Sequence, residues 1–414
     1  MKITNIHSIM ILDSRGNPTI KAYIELENGI VGAASVPSGA STGIHEACEL
    51  RDGEKPYNGL GVTKAIHNTN TILNDLLKGK SIEDLKILDV LMLERDGTAQ
   101  KTTIGANAML AVSMAAARTL SLYKAEPLWK TLHQSYFSTT QPDYPRLMVN
   151  IINGGAHANW NMDFQEYMII SKERLPSKSI QQSSEIFHAL KNILKEKKQI
   201  ISVGDEGGFA PSLENNKEGF SLLNEAIVRA GYSREIIDLG SDMAASEFFK
   251  NGEYTMKKEN KTFLASELSA YYVDLIESFN ILSFEDPFAE DDWNSFASFT
   301  KQAGSNHIIV GDDLFVTYLD RIQKGIAENT ANAVLIKLNQ IGTLFETVQA
   351  ISATKKAGWK TVISHRSGET EDSFIADLSV ACASDFIKTG SMSRSDRLAK
   401  YNRLLEIEAR EYTK

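Results

Sequence analysis

Apolar residues recur along the chain first at every second position and then at helical spacing. The opening forty residues hold three β-rich pieces, "ITNIHSIMILDS", "PTIKAYIELENG" and "GIVGAASVPSG", broken by Gly, Asn and Pro. That pattern predicts a small antiparallel meander. In "GVTKAIHNTNTILNDLLKG" the apolar residues fall at helical spacing up to Gly79, and the alanine-rich "GANAMLAVSMAAARTLSLYKA" is a strong helix former. Periodicity lapses in "STTQPDYPRLM", which places a boundary near residue 137 and divides the chain into an α+β domain, 1–136, and a second domain, 137–414.

Beyond that boundary a short apolar strand repeatedly runs into a charged or metal-binding residue and then a helical segment. The pieces are "QIISVGDEGG", "DLGSDMAASEF", "NILSFEDPF", "HIIVGDDLF", "AVLIKLNQ", "KTVISHRSG" and "SDFIKTGS". The residues that close them are Glu206, Asp242, Glu285, Asp312, Lys337, His365 and Lys388, separated by 36, 43, 27, 25, 28 and 23 residues. Each gap suits one strand and one crossover helix, and successive right-handed units close into a (β/α)8-type barrel of about 250 residues. The 264 residues from Ile151 to Lys414 are enough for one. In such a barrel the C-terminal strand ends face one active site, so seven scattered residues become one constellation.

Composition narrows the function. With 42% hydrophobic and 23% charged residues the chain reads as an ordinary globular protein. A net charge of -9 argues against nucleic acid or an anionic membrane surface as partner. Two cysteines, Cys48 and Cys382, offer no disulfide framework, the N-terminus lacks the apolar core of a signal peptide, and no run approaches the roughly 20 apolar residues of a membrane span. The expected location is cytoplasmic.

Three carboxylates that close consecutive strands, Asp242, Glu285 and Asp312, repel one another unless a cation holds them, and hard oxygen ligands suit Mg²⁺. Taken singly each is equally a helix cap or a surface group; taken together they read as metal ligands, with Asp286 and Asp313 beside them. Arg366 and Ser367 read as an anion clamp, since guanidinium offers a planar fork of donors. Lys337 interrupts the apolar run Val334–Leu338 and is a surface residue, an ion-pair partner or a base; Arg366 and Lys388 nearby are expected to disfavour its ammonium form. Glu206, between glycines, suits an acid acting on a leaving group, with Glu166 and His157 as assistants.

The motifs "LDSRGNPT", "VPSGASTGIHEA", "GANAMLAVSMA", "VGDEGGFAP", "EDPFAEDDW", "GDDLFVT", "KLNQIGT", "SHRSGETED", "IKTG" and "RLAKYNRLLEIE" follow one another in an order that resembles the enolase family over essentially the whole chain. The resemblance implies an atypical barrel whose early strands break strict alternation, and the dehydration of 2-phosphoglycerate to phosphoenolpyruvate. It implies Asp242, Glu285 and Asp312 as ligands of a first Mg²⁺, and Ser41, in a mobile "SGAST" loop, as closing over a second Mg²⁺ bound with substrate. It implies Lys337 as the base at C2, Glu206 as the acid at C3, and Gln165, His157, Glu166, His365, Arg366, Ser367 and Lys388 as substrate-contacting positions. Ala156 and Trp160 stand where family members more often carry polar residues. A homo-oligomer, dimer or octamer, is implied as well. So is plasminogen capture by a terminal lysine if the chain reaches the cell surface, although a chance Lys414 is the simpler reading. The alternative activity is that of another dehydratase of the superfamily.

Overall fold

The structure, a computed structural model, describes residues 1–39 and 43–411. It opens with the antiparallel meander β1 (Ile3–Leu12), β2 (Pro18–Leu26) and β3 (Val31–Ser35). In β2 the even positions Ile20, Ala22, Ile24 and Leu26 are buried, as the alternating pattern requires. They pack under the helix Ala106–Lys124, whose alanines let it lie close on the sheet. At Gly32 a Cβ would stand 2.6 Å from Thr119 N, so only glycine fits where helix and β3 meet.

After the helix Leu128–Tyr136 comes a barrel. Its first strands are β4 (Arg146–Asn153), β5 (Glu166–Ser171) and β6 (Ile237–Asp242). A small outlying sheet, β7 (Phe249–Lys250), β8 (Glu253–Met256) and β9 (Lys261–Phe263), interrupts before β10 (Ile281–Glu285), β11 (Ile308–Gly311), β12 (Ala333–Ile336), β13 (Lys360–Ser364) and β14 (Phe386–Lys388). Pairing of β14 with β4 closes eight strands into a ring. Two pairings, β4 with β5 and β5 with β6, are antiparallel, and the others are parallel.

Two expectations change here. The segment "QIISVGDEGG" is not a barrel strand: it is a loop in which Val203 bridges Phe209, while Phe209 N donates to Ile151 O and Asn153 N to Phe209 O. Its glycines explain the placement, because a Cβ on Gly208 would meet Asn153 Oδ1 at 2.5 Å. Close approach to the end of β4 thus replaces strand pairing. The spacing from Glu206 to Asp242 is accordingly not one β-α unit, and β4 and β5 supply the ring's first two strands instead.

The inner row of the barrel is apolar below its mouth: Met148, Met168, Ile170, Val310, Ala333, Leu335, Val362 and Phe386 form one cluster inside the ring. Outside, helices such as Leu344–Lys356 cover the alternate positions Val334 and Ile336.

The two parts of the chain meet through polar contacts in the interior. Asp89 on the helix Leu85–Asp96 accepts from Ser113 Oγ (2.9 Å) and from Phe345 N (2.8 Å) at the start of the barrel helix. Burial pushes its carboxyl up to about 7, with Ser113 and Phe345 opposing and Glu346 adding to the rise. A folded-state value above the unfolded one means the contribution to stability is full below about pH 4 and is lost as pH rises toward 7. Asp89→Asn is therefore expected to gain on the native protein across that window, on the order of 1.4 kcal/mol per pH unit at most. Urea unfolding at pH 5 and 7.5 checks it, and a difference between the two proteins that does not change with pH contradicts it.

Candidate active site

Strand parity places the chemistry. In β12 the inward residues are Ala333 and Leu335, and the next in that row is Lys337. The same count carries β11 from Val310 to Asp312, β14 from Phe386 to Lys388, and β6 from Gly240 to Asp242. Because β5 runs the other way, its first residue, Glu166, reaches the same mouth, directly across from Asn153 on one side and Asp242 on the other. Glu285 in turn lies across from Asp242. Hydrophobic rows that keep their period thus end in a ring of charge over an apolar plug.

Lys388 sits at the centre of the acidic side. Its Nζ is 2.7 Å from Glu285 Oε1, 3.2 Å from Glu166 Oε1 and 3.5 Å from Asp242 Oδ2. All four residues are buried. Burial pushes the Glu285 and Glu166 carboxyls well up, aided for Glu285 by Asp242 and for Glu166 by Glu206, with Lys388 opposing. On Lys388 burial acts downward, but Glu166, Glu285 and Asp242 together hold the ammonium well above its usual value. One cation for this many carboxylates leaves a deficit that a divalent cation suits. Unpaired buried oxygens agree: Glu166 Oε2, Gln165 Oε1 and Asn153 Oδ1 have no hydrogen-bond partner.

Lys337 forms an ion pair with Asp312. Burial, Arg366 and Lys388 all act to lower its value, as expected from sequence, yet Asp312 outweighs them and the net displacement is upward. The expected disfavoured ammonium is therefore corrected for this arrangement. Asp312 Oδ1 also accepts from Gln340 Nε2 (2.9 Å), and the Asp312 and Asp313 amides donate to the two oxygens of Asp286 at 2.9 and 2.8 Å. Asp286, Asp312 and Asp313 offer one oxygen each within 4.8 Å of one another, as do the ligand atoms of His157, Glu166 and Glu206.

Glu206 enters from the loop. Asn150 Nδ2 donates to its Oε2 (3.0 Å), while His157 Nδ1 and His365 Nε2 stand 3.6 and 3.5 Å from its Oε1. Burial raises this carboxyl, but His365, His157, Arg397 and Lys388 outweigh it and hold Glu206 well below the usual range. The two neighbouring carboxyls are thus pushed in opposite directions, Glu206 down and Glu166 up.

The anion clamp has a partner of its own. Arg366 Nη1 and Nη2 reach Glu46 at 2.8 and 3.1 Å, and Nη1 reaches Asn339 Oδ1 at 2.9 Å. Its guanidinium thus joins the N-terminal part of the chain to the barrel mouth, and Ser367 follows on the same pocket wall. Gln165 Nε2 donates to Asp242 Oδ2 (3.3 Å). Ser41, with Ala40 and Thr42 of the loop expected to be mobile, lies outside the described residues, as does Lys414.

Residues 3–132 match the family model "Enolase, N-terminal domain", and residues 143–412 match "Enolase, C-terminal TIM barrel domain". The chain belongs to the enolase family. It is 50% identical over 411 residues to "Enolase" of Legionella pneumophila (strain Lens), covering 98% of this chain and 96% of that protein. It is 49% identical over 410 residues to "Enolase 2" of Methanospirillum hungatei JF-1, covering 98% of this chain and 95% of that protein. The closed barrel with its antiparallel start and the preceding meander are the architecture that the resemblance to enolases implied. Among the described residues no helix is long and apolar enough to cross a membrane.

Sequence reasoning did not single out Arg397, Asn150 or Asn153. Arg397 lies on the helix Ser395–Glu406, where Lys400, Tyr401 and Leu404 share its buried face at spacings of three, four and seven. That spacing beside apolar partners was the available signal. For this enolase-family pocket, Lys388→Met is expected to cost about 3–5 kcal/mol, because Glu166, Glu285 and Asp242 lose their common cation. Added Mg²⁺ is expected to recover part of that loss, read as a larger rise in melting temperature than in the native protein. Equal rises in both proteins contradict the charge deficit.

Proposed function

We propose that the chain catalyses the reversible dehydration of 2-phospho-D-glycerate to phosphoenolpyruvate, with Lys337 and Glu206 running the two halves of the reaction. The carrying observation is that one pocket holds Lys337 at the end of β12, Glu206 beside the end of β4, and a ring of buried carboxylates between them. Lys337 is the base that takes the C2 proton. Glu206 acts on the C3 hydroxyl, and the proton that leaves with it is supplied by the Glu166–Glu206 pair, with His157 between the two carboxyls at 4.0 and 3.6 Å. Arg366 and Ser367 hold the phosphate, and His365, Gln165 and Lys388 contact other parts of the substrate.

Asp242, Glu285 and Asp312 are the proposed ligands of one Mg²⁺, and a second, bound with substrate, is assigned to Ser41. Bound there, Mg²⁺ would supply positive charge to the substrate carboxylate, and Asp312, shared with it, would bind the Lys337 ammonium less tightly, which favours the neutral amine a base needs. The division at residues 136 and 137 belongs to the same reading, supported by the helix end at Tyr136 and the strand start at Arg146. So do a cytoplasmic location and a homo-oligomer. The wider dehydratases and surface plasminogen capture remain the competing readings, and no contact in the pocket favours either.

The test separates the half-reactions. Phosphoenolpyruvate formation, followed by its ultraviolet absorbance, is expected to need Mg²⁺ and to stop with excess chelator. In deuterated water Glu206→Gln is expected to exchange the C2 proton of 2-phosphoglycerate while forming little product, and Lys337→Ala to do neither. Exchange that survives in the lysine variant reverses the assignment.

A further inference from the structure

Arg397 is fully buried and does not line the pocket, yet three of its polar contacts run to residues that do, His365, Arg366 and Ser367. Nη1 donates to Nδ1 of His365 and to Arg366 O (2.6 Å). Nη2 donates to Ser367 O (2.7 Å) and Asp205 O (3.2 Å), and Nε lies 2.8 Å from Asp396 Oδ2. A guanidinium has donors only. The nitrogen of His365 that it meets must therefore be an acceptor, so the ring proton of a neutral imidazole is on Nε2.

Nε2 is the atom aimed at the pocket. It is buried, has no hydrogen-bond partner, and stands 3.5 Å from Glu206 Oε1. Burial, with Arg397, Lys388 and Lys337 facing the ring, outweighs Glu206 and pushes the His365 imidazole well below its usual range. We infer that Arg397 is a positioning residue that fixes His365 as the Nε2–H tautomer, presenting a neutral donor to substrate, and ties the Glu206 loop to the Arg366–Ser367 clamp. This deepens the reading of His365 as a substrate contact and rests on it. The three carbonyls it gathers, of Asp205, Arg366 and Ser367, come from the two loops whose relative position sets the width of the pocket on that side. A shift of about 1 Å between such groups costs on the order of 100-fold in rate.

The experiment reads the tautomer directly, without substrate, so that its failure is distinct from failure of the dehydration reading. In native protein carrying 15N-histidine, long-range proton–nitrogen NMR is expected to show His365 with Nε2 protonated and Nδ1 bare between about pH 6 and 9; comparison with His365→Gln assigns the signal. Arg397→Lys, which keeps a donor and a charge, is expected to keep that tautomer. Arg397→Met is expected to show the Nδ1–H form or the imidazolium, with kcat reduced about 100-fold and circular dichroism unchanged. Native His365 found as the Nδ1–H tautomer or charged overturns the inference even if Arg397→Met does not fold. A methionine variant that loses activity with the native tautomer intact overturns it too, since the role is then only structural.

Discussion

One ammonium among buried carboxylates sets the terms for the rest of this fold. Lys388 comes within 3.5 Å of Glu166, Asp242 and Glu285, and all four residues are buried. Burying a charge is tolerated only with a partner, and one positive group cannot satisfy this many negative ones. The surplus is distributed over nearby groups: Lys337 pairs with Asp312, and Asn150, His157 and His365 surround Glu206. Each of those choices is reversible by a ligand that brings charge of either sign. A site built this way is poorly satisfied when empty and is completed by a cation and an anion arriving together, which describes a metal and a phosphorylated acid.

The barrel makes that imbalance affordable by concentrating it at one end. Below the charged ring the inner rows are Met, Ile, Val, Leu and Phe, closely packed, so the polar groups have a rigid apolar floor and cannot relax inward. Above it, Arg366 reaches across to Glu46, and Ser38 pairs with Gly368, so the N-terminal part of the chain forms the rim. The separation of the chain into two parts is thus a separation of tasks: the barrel fixes the reacting groups, and the meander with its following loops supplies the cover.

Much of this could be read in the sequence because strand parity is a local property. Asp312, Lys337 and Lys388 each continue an inward apolar row, and a charged residue at the end of such a row points into the barrel mouth wherever the strand lies in the ring. Glu206 was harder. Its apolar run resembles a strand, but Gly204 and Gly208 let the segment press on β4 as a loop, and close approach of backbone is not visible in hydrophobic periodicity. The direction of the Lys337 displacement was misjudged for a related reason: spacing shows that Arg366 and Lys388 are near, but not that Asp312 is nearer. Arg397 was passed over because a basic residue on an amphipathic helix ordinarily faces water.

The C-terminal helix shows why that ordinary reading fails here. Arg397 and Lys400 both turn inward, the first onto the carbonyls of Arg366 and Ser367, the second onto Glu369 Oε2 (2.7 Å) and Thr370 O (2.6 Å). Glu369 in turn accepts from Arg366 N through its other oxygen (3.2 Å). The loop from His365 to Thr370 follows the short strand β13 and makes little ladder of its own, so its carbonyls need donors from elsewhere. Two buried cations from one helix face provide them, and Tyr401 Oη adds a hydrogen bond to Gly390 O (2.7 Å) just past β14. A segment remote in sequence from the acidic cluster thereby fixes the cationic wall it faces, and the two walls of the pocket are held by different physics: packing along barrel rows on one side, and charge-assisted hydrogen bonds to backbone on the other.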